Sequence, residues 1–158
     1  MNELHDVDTP VSIQAAAGAL ERLFELAVVL TGAMDTGLAS RGLTRARAEV
    51  IWRLCRVDAM TQRELSQALR CTPRNVTGLI DALEAAGFVD RRPHPTDRRA
   101  THVGLTQQGL AAAGQMRAEY QDFGASLFAG LSGTQFAELN TIIDSLLGRL
   151  NQAGLAAG

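Results

Sequence analysis

Hydrophobic residues recur every three to four positions along most of the chain, which is the spacing of one face of an α-helix. Glycine, charged and hydroxyl residues interrupt this stripe at intervals and divide it into separate segments. The chain is therefore predicted to be mainly α-helical. The predicted helices run from about Val11 to Ser40, Thr44 to Leu54, Thr61 to Leu69, Thr72 to Ala86, Thr106 to the residue before Gly130, and Ser132 to Leu150.

The third and fourth predicted helices are short and are joined by only two residues, Arg70 and Cys71. Thr61 and Glu64 have the spacing of a capping box at the start of the third helix. At the start of the fourth, Thr72 suits the N-cap, and a proline follows at the first helical position, where a missing N–H costs nothing. Two short helices joined by so tight a turn form a helix-turn-helix.

A polar hairpin follows the helix-turn-helix. One strand is predicted to start at Phe88 and another to run from Thr101 to Leu105, where apolar and polar residues alternate. The sequence RRPHPTDRR between them is too charged and too rich in proline to lie in a core. Ala59 and Met60 predict a third, very short strand. A hairpin in this position is a wing, so the predicted fold is a winged helix-turn-helix with flanking helices.

The fourth helix carries polar residues on the side opposite its hydrophobic stripe. A helix that enters a major groove contacts base edges with its N-terminal residues. Arginine pairs bidentately with guanine, asparagine pairs with adenine, and threonine offers a hydroxyl and a methyl, while glycine permits close approach. The pattern predicts a recognition helix, with an ordinary solvated face as the alternative. The candidate base-contacting residues are Thr72, Arg74, Asn75, Thr77 and Gly78.

Arginines in and beside the hairpin predict further DNA contacts. Arg98 and Arg99 lie at its tip, where their side chains suit a narrow, electronegative minor groove. Asp97 would repel phosphates there unless it pairs with an arginine and orients it. Arg91 and Arg92 lie along the first strand, and we expect them to contact phosphates.

The run VTGLIDALEAAGFVDRR, followed by DRR and then VGLTQQG, resembles the MarR family of bacterial regulators (multiple antibiotic resistance regulators). The match is close from about Leu43 to Gly109. Gly78 departs from the polar or basic residue often found at its position. The most specific part is the spacing at the wing, which is matched by Asp97, Arg99, Leu105 and Thr106.

The resemblance implies roles for several segments. It makes Arg99 the minor-groove arginine, Asp97 its structural partner, and the helix from Thr72 to Ala86 the element that lies in the major groove. It also implies a homodimeric repressor that a small-molecule effector releases from DNA. The effector would lie between the dimerisation helices and the winged helix. Candidates to line such a pocket are Phe24, Trp52 and Met116, with plain hydrophobic core as the alternative.

The long terminal helices carry wider hydrophobic stripes than a winged helix needs as cover. These stripes could pack against one another within one monomer or pair with a second copy. Paired copies would place two recognition helices about one DNA turn apart, matching a palindromic operator. The resemblance favours the dimer. The predicted organisation is an N-terminal dimerisation helix in residues 1–40, a DNA-binding domain in 41–105 and C-terminal dimerisation helices in 106–158.

The charge distribution supports a nucleic-acid partner although the net charge is −2. Residues 41–105 carry 12 Arg against 7 Asp and Glu, a net charge of +5, whereas residues 1–40 carry −5 and residues 106–158 carry −2. The basic excess therefore coincides with the predicted winged helix, as binding to phosphates requires. The hydrophobic share of 46% is typical of a soluble globular protein. The acidic N-terminus argues against a signal peptide, and no stretch is apolar enough to span a membrane, so we expect a cytoplasmic protein.

Other classes of function fit the sequence less well. His5, His94 and His102 are scattered, without cysteine or carboxylate residues at ligand spacing, so neither an enzyme nor a bound metal or cofactor is expected. A winged helix that binds only proteins would have no need of arginines at a loop tip. A redox-sensing regulator is a further alternative, because some relatives in the family use cysteines. Small buried fillers are the favoured interpretation of Cys55 and Cys71.

Overall fold

The computed structural model describes residues 10–93, 96 and 101–154. Its order of elements confirms the predicted winged helix-turn-helix with long flanking helices. The chain divides into two compact units, one ending at Ala48 and the other starting at Glu49. The elements are α1 (Ile13–Ala39), α2 (Arg45–Leu54), β1 (Ala59–Thr61), α3 (Gln62–Ala68), α4 (Pro73–Ala85), β2 (Val89–Pro93), β3 (Thr101–Leu105), α5 (Gln107–Phe128) and α6 (Gly133–Gln152).

Side-chain caps fix where several helices begin. The backbone N–H of Glu64 donates to the Thr61 hydroxyl at 3.2 Å, and the Thr61 N–H donates to the Glu64 carboxylate at 2.7 Å. Ser132 and Gln135 form the same reciprocal pair at the start of α6, with distances of 3.2 and 2.9 Å. Both pairs have the Ser/Thr-x-x-Glu/Gln spacing of a capping box, which is visible in the sequence. Each satisfies two N–H groups that the first turn leaves without a helical partner.

The turn between α3 and α4 contains a residue in a left-handed conformation, which was not predicted from the sequence. Arg70 has a φ of 49°, in the left-handed region that residues other than glycine and asparagine rarely adopt. The Ser66 hydroxyl donates to the Cys71 carbonyl at 2.6 Å and holds the turn closed. Thr72 then caps α4 and Pro73 takes its first position, as predicted.

The wing is a three-stranded antiparallel sheet in the order β1-β3-β2. The predicted short strand at Ala59 is present and pairs with β3, with Ala59 opposite Gly104. On the other side, β2 pairs with β3 from Val89 opposite Leu105 to Pro93 opposite Thr101. Strand β2 thus begins shortly after α4 and carries the chain from that helix into the wing.

The second unit has a hydrophobic core built from the winged helix. The hydrophobic stripe of α4 faces this core, with Val76, Ile80 and Leu83 buried and Leu79 half-buried. The larger side chains of α5 take no part, and this helix buries only small residues near its start. The buried hydrophobic residues of this unit are Val50, Ile51, Leu54, Leu65, Val76, Ile80, Leu83, Phe88, Val89, Val103, Leu105, Ala112 and Ala113.

The end of α4 is joined closely to the start of α5. Gly87 has a φ of +80°, the left-handed conformation that suits a glycine at the end of a helix, and the Thr106 hydroxyl donates to its carbonyl at 2.6 Å. The Thr106 N–H donates to the Phe88 carbonyl at 3.1 Å. A Cβ on Gly109 would lie 2.0 Å from that same Phe88 oxygen. Only glycine permits this approach between the two segments.

The long helices leave most of their hydrophobic residues exposed. Neither α1 in the first unit nor α6 in the second has a buried residue. None of the described helices is both long and apolar enough to cross a membrane. The exposed large hydrophobic residues of these two helices and α5 are Ile13, Leu20, Leu23, Phe24, Leu26, Val28, Val29, Met34, Leu110, Tyr120, Phe123, Leu127, Phe136, Ile142, Ile143, Leu146, Leu147 and Leu150.

Candidate nucleic-acid interface

The N-terminal end of α4 presents polar side chains to solvent. Thr72, Arg74, Asn75 and Gly78 are all exposed, and the Thr72 hydroxyl accepts the Asn75 N–H at 3.3 Å. A Cβ added at Gly78 would meet nothing within 4 Å, so no packing contact requires glycine there. The predicted recognition surface is therefore open, with Arg74 and Asn75 exposed in the first turn and Gly78 exposed about one turn further on.

Thr77 differs from the other predicted base-contacting residues. It is half-buried, and its hydroxyl donates to the Pro73 carbonyl at 3.0 Å and contacts the Gln62 side-chain oxygen at 3.3 Å. The hydroxyl thus links the first turn of α3 to the first turn of α4. Base contact by Thr77 stays a prediction. The link to Gln62 was missed because the two residues are 15 positions apart and both types are common on solvated helix faces.

Two carboxylates lie on the exposed side of α4, beyond its N-terminal turns. Asp81 and Glu84 are three residues apart, so their side chains project from neighbouring positions on one face of the helix. The Arg91 guanidinium of β2 lies between them and forms an ion pair with each. Its hydrogen bond to Asp81 is the largest influence that raises the pKa of Arg91, and the charges of both carboxylates act in the same direction.

The two predicted phosphate-contacting arginines have different surroundings. The side chain of Arg91 is 25% exposed and is held between two helix carboxylates. The side chain of Arg92 is 47% exposed, and its Nε lies 2.9 Å from Asp90 of the same strand. Phosphate contact stays a prediction for both residues. The position of Arg91 against α4 could not be predicted from the sequence, because the direction of β2 depends on the turn at Gly87.

The predicted tip of the wing, with Asp97, Arg98 and Arg99, lies outside the described residues, and so does His94. The strand register shows where this segment is anchored. Because Pro93 pairs with Thr101, residues 94–100 form the connection between β2 and β3. Minor-groove contact by the two arginines therefore stays a prediction.

The predicted effector-pocket residues belong to different units. Phe24 lies in the first unit and is 65% exposed, whereas the half-buried Trp52 and Met116 lie in the second. The Arg117 guanidinium carbon lies 5.9 Å from the centre of the Trp52 ring, a cation–π contact between α2 and α5. The pocket itself stays a prediction.

Both cysteines are half-buried free thiols. The Cys55 thiol, directly after the last residue of α2, donates to the Trp52 carbonyl at 3.2 Å. Among the described residues, no three His, Cys, Asp or Glu side chains are grouped so that they could hold a metal ion.

Comparison with known proteins identifies the family of this chain and relatives that resemble it in sequence. The model of the MarR family matches residues 43–101 of this chain. The HTH-type transcriptional repressor YetL of Bacillus subtilis is 30% identical over 146 residues, which cover 81% of this chain and 86% of YetL.

Solved structures share the fold at lower identity. The YusO protein of Bacillus subtilis has a TM-score of 0.77 at 20% identity, over 87% of this chain and 97% of YusO. Streptococcus pneumoniae FabT, solved in complex with DNA, has a TM-score of 0.72 at 19% identity, over 90% of this chain and 99% of FabT. These likenesses extend well beyond the winged helix, into the long flanking helices.

Proposed function

Since the chain belongs to the MarR family, we propose that it is a transcriptional repressor that binds double-stranded DNA through α4 and the wing. The observation that carries the proposal is the open N-terminal end of α4, where Arg74 and Asn75 are both exposed to solvent. These two side chains are the types that pair bidentately with guanine and adenine. The relative YetL is itself named a repressor, and the neighbour FabT was solved with DNA.

Within this proposal, each segment of the DNA-binding surface has its own task. Arg74 and Asn75 contact base edges in the major groove, with Thr72, Thr77 and Gly78 around them. Arg98 and Arg99 enter the minor groove, with Asp97 orienting an arginine. Arg92 contacts a phosphate, as its exposed position on β2 allows. A protein that binds bacterial DNA works in the cytoplasm, and we propose that location.

We further propose that two copies of the chain bind a palindromic operator as a homodimer. The exposed hydrophobic faces of α1, α5 and α6 support this, because apolar patches of such extent on a soluble chain mark interaction surfaces. Release by a small-molecule effector rests on the family, and Phe24, Trp52 and Met116 are the candidates to contact it. The lone tryptophan, Trp52, provides a fluorescence probe for that step.

Duplex binding at several salt concentrations tests the proposed function. A protein that neutralises several phosphates loses affinity linearly on a logarithmic salt scale, with a slope of about −0.9 per phosphate. We expect tight binding to genomic fragments that carry the operator, weaker binding to random duplex, and a steep slope for both. Absence of binding to any duplex at low salt would refute the proposal and favour a module for protein contacts.

A further inference from the structure

The contact between Arg91 and α4 joins the wing to the recognition helix. The two terminal nitrogens of the guanidinium are divided between the two carboxylates, one bonded to Asp81 and the other to Glu84. Arginine has a rigid fork of donors that can hold two acceptors at once in this way. Since Arg91 lies in the middle of β2, opposite Val103 of β3, the fork is fixed to the sheet of the wing.

The two carboxylates would otherwise oppose DNA binding. Asp81 is 59% exposed and Glu84 is 40% exposed, and both lie on the side of α4 that faces away from the core. Negative charge on a helix that enters a groove is repelled by the phosphates that line the groove. Arg91 offsets part of that charge and also ties the middle of the helix to β2.

We propose that Arg91 is a positioning residue for the recognition helix, acting through Asp81 and Glu84 and not by direct contact with a phosphate. This inference rests on the proposed function. The guanidinium would have to leave both carboxylates in order to reach a phosphate, whereas Arg92 is more exposed and, among the described residues, forms its ion pair with Asp90 of its own strand. Arg91 therefore sets the orientation of Arg74 and Asn75 towards the bases without touching DNA.

A double-mutant cycle on the full-length protein separates the two roles. Arg91→Met is made in the wild-type background and in a background carrying Asp81→Asn and Glu84→Gln, and the affinities for operator and random duplex are measured at one salt concentration. We expect Arg91→Met to lower operator affinity about tenfold in the wild-type background and less than about twofold once the carboxylates are removed. The loss should be larger for operator than for random duplex, because a displaced helix loses its base contacts first.

Arg92→Met is the matched control, because it removes the neighbouring arginine, whose ion pair is with Asp90 of β2 and not with α4. Its cost should be the same in both backgrounds and similar for operator and random duplex. Arg91→Lys is a second variant that keeps the charge and most of the stem but has no fork. We expect it to lose affinity for the operator, whereas a phosphate contact would largely tolerate lysine.

The possible results are distinct. Equal losses for Arg91→Met in both backgrounds, with tolerance of lysine and a salt slope lower by about one phosphate, would overturn this proposal and make Arg91 a phosphate contact. Wild-type protein that binds no duplex would instead overturn the proposed function and this inference with it. Circular dichroism spectra that match the wild type are required of each variant before its affinity is compared.

Discussion

At the scale of single residues, Gly109 limits how the recognition helix and α5 are joined. Its Cα faces the Phe88 carbonyl so closely that a methyl group would overlap the oxygen. The same carbonyl accepts the Thr106 N–H, so a shift of the backbone to make room would also break that hydrogen bond. The short junction between α4 and α5 thus depends on one missing side chain.

We expect Gly109→Ala to lower the free energy of unfolding by about 1–3 kcal/mol, the usual effect of overpacking a tight site. Gly114→Ala in the same helix is the control, because a Cβ there meets nothing within 4 Å. Alanine is the better helix former, so this control should raise stability by about 0.5–1 kcal/mol. Urea denaturation of the two variants measures both effects, and equal stability changes would contradict the close approach at Gly109.

At the scale of elements, the sequence determines most of what is local. The capping boxes at Thr61 and Ser132, the proline at the start of α4 and the left-handed Gly87 each depend on residues within one turn of each other, and all were predictable. Contacts between elements could not be predicted from the sequence. The approach of Gly109 to Phe88 and the ion pairs of Arg91 join residues that only the assembled unit brings together.

In α4, the exposed residues could be predicted from the sequence, whereas their contacts with other elements could not. Its exposed face follows from helical periodicity, so Arg74 and Asn75 could be identified from the sequence alone. The engaged hydroxyl of Thr77 could not, because its contact with Gln62 depends on how α3 crosses α4. The charge balance of the helix was likewise hidden, since the partner of Asp81 and Glu84 lies on β2.

Arg74→Ala is expected to reduce affinity for the operator by about 1–3 kcal/mol and to change affinity for random duplex much less, because a base contact carries sequence information. Arg92→Ala should weaken both complexes by similar factors, as loss of a phosphate contact does. Fluorescence anisotropy with both duplexes at a single salt concentration measures the ratio of the affinity for operator to the affinity for random duplex. Equal losses for Arg74→Ala would mean that α4 holds the DNA backbone and that the bases are contacted elsewhere.

At the scale of the whole molecule, the exposed hydrophobic faces of α1, α5 and α6 are the basis of the proposed homodimer. No residue of α6 is buried, although its stripe from Phe136 to Leu150 is made of large side chains that each gain about 1.5–3 kcal/mol when fully buried. Leaving such a stripe in water would make the chain prone to aggregation. A second copy of the same chain is the partner that the proposal assigns to it.

Ile142→Glu combined with Leu147→Glu should convert the dimer to a monomer, because both side chains are more than half exposed in the single chain and would meet the partner in the pair. Thr141→Glu with Ser145→Glu adds the same charge to the opposite side of α6 and should leave the dimer intact. Sedimentation velocity distinguishes the two states. A wild-type protein that sediments as a monomer would contradict the proposed homodimer.

The central claim is that two recognition helices bind one operator in successive major grooves. Hydroxyl-radical footprinting of the wild-type protein, on a genomic fragment selected for tight binding, tests it most directly. We expect two protected, symmetry-related half-sites whose centres lie about 10–10.5 base pairs apart, roughly one turn of DNA. A single protected half-site, or uniform protection that does not depend on sequence, would contradict it.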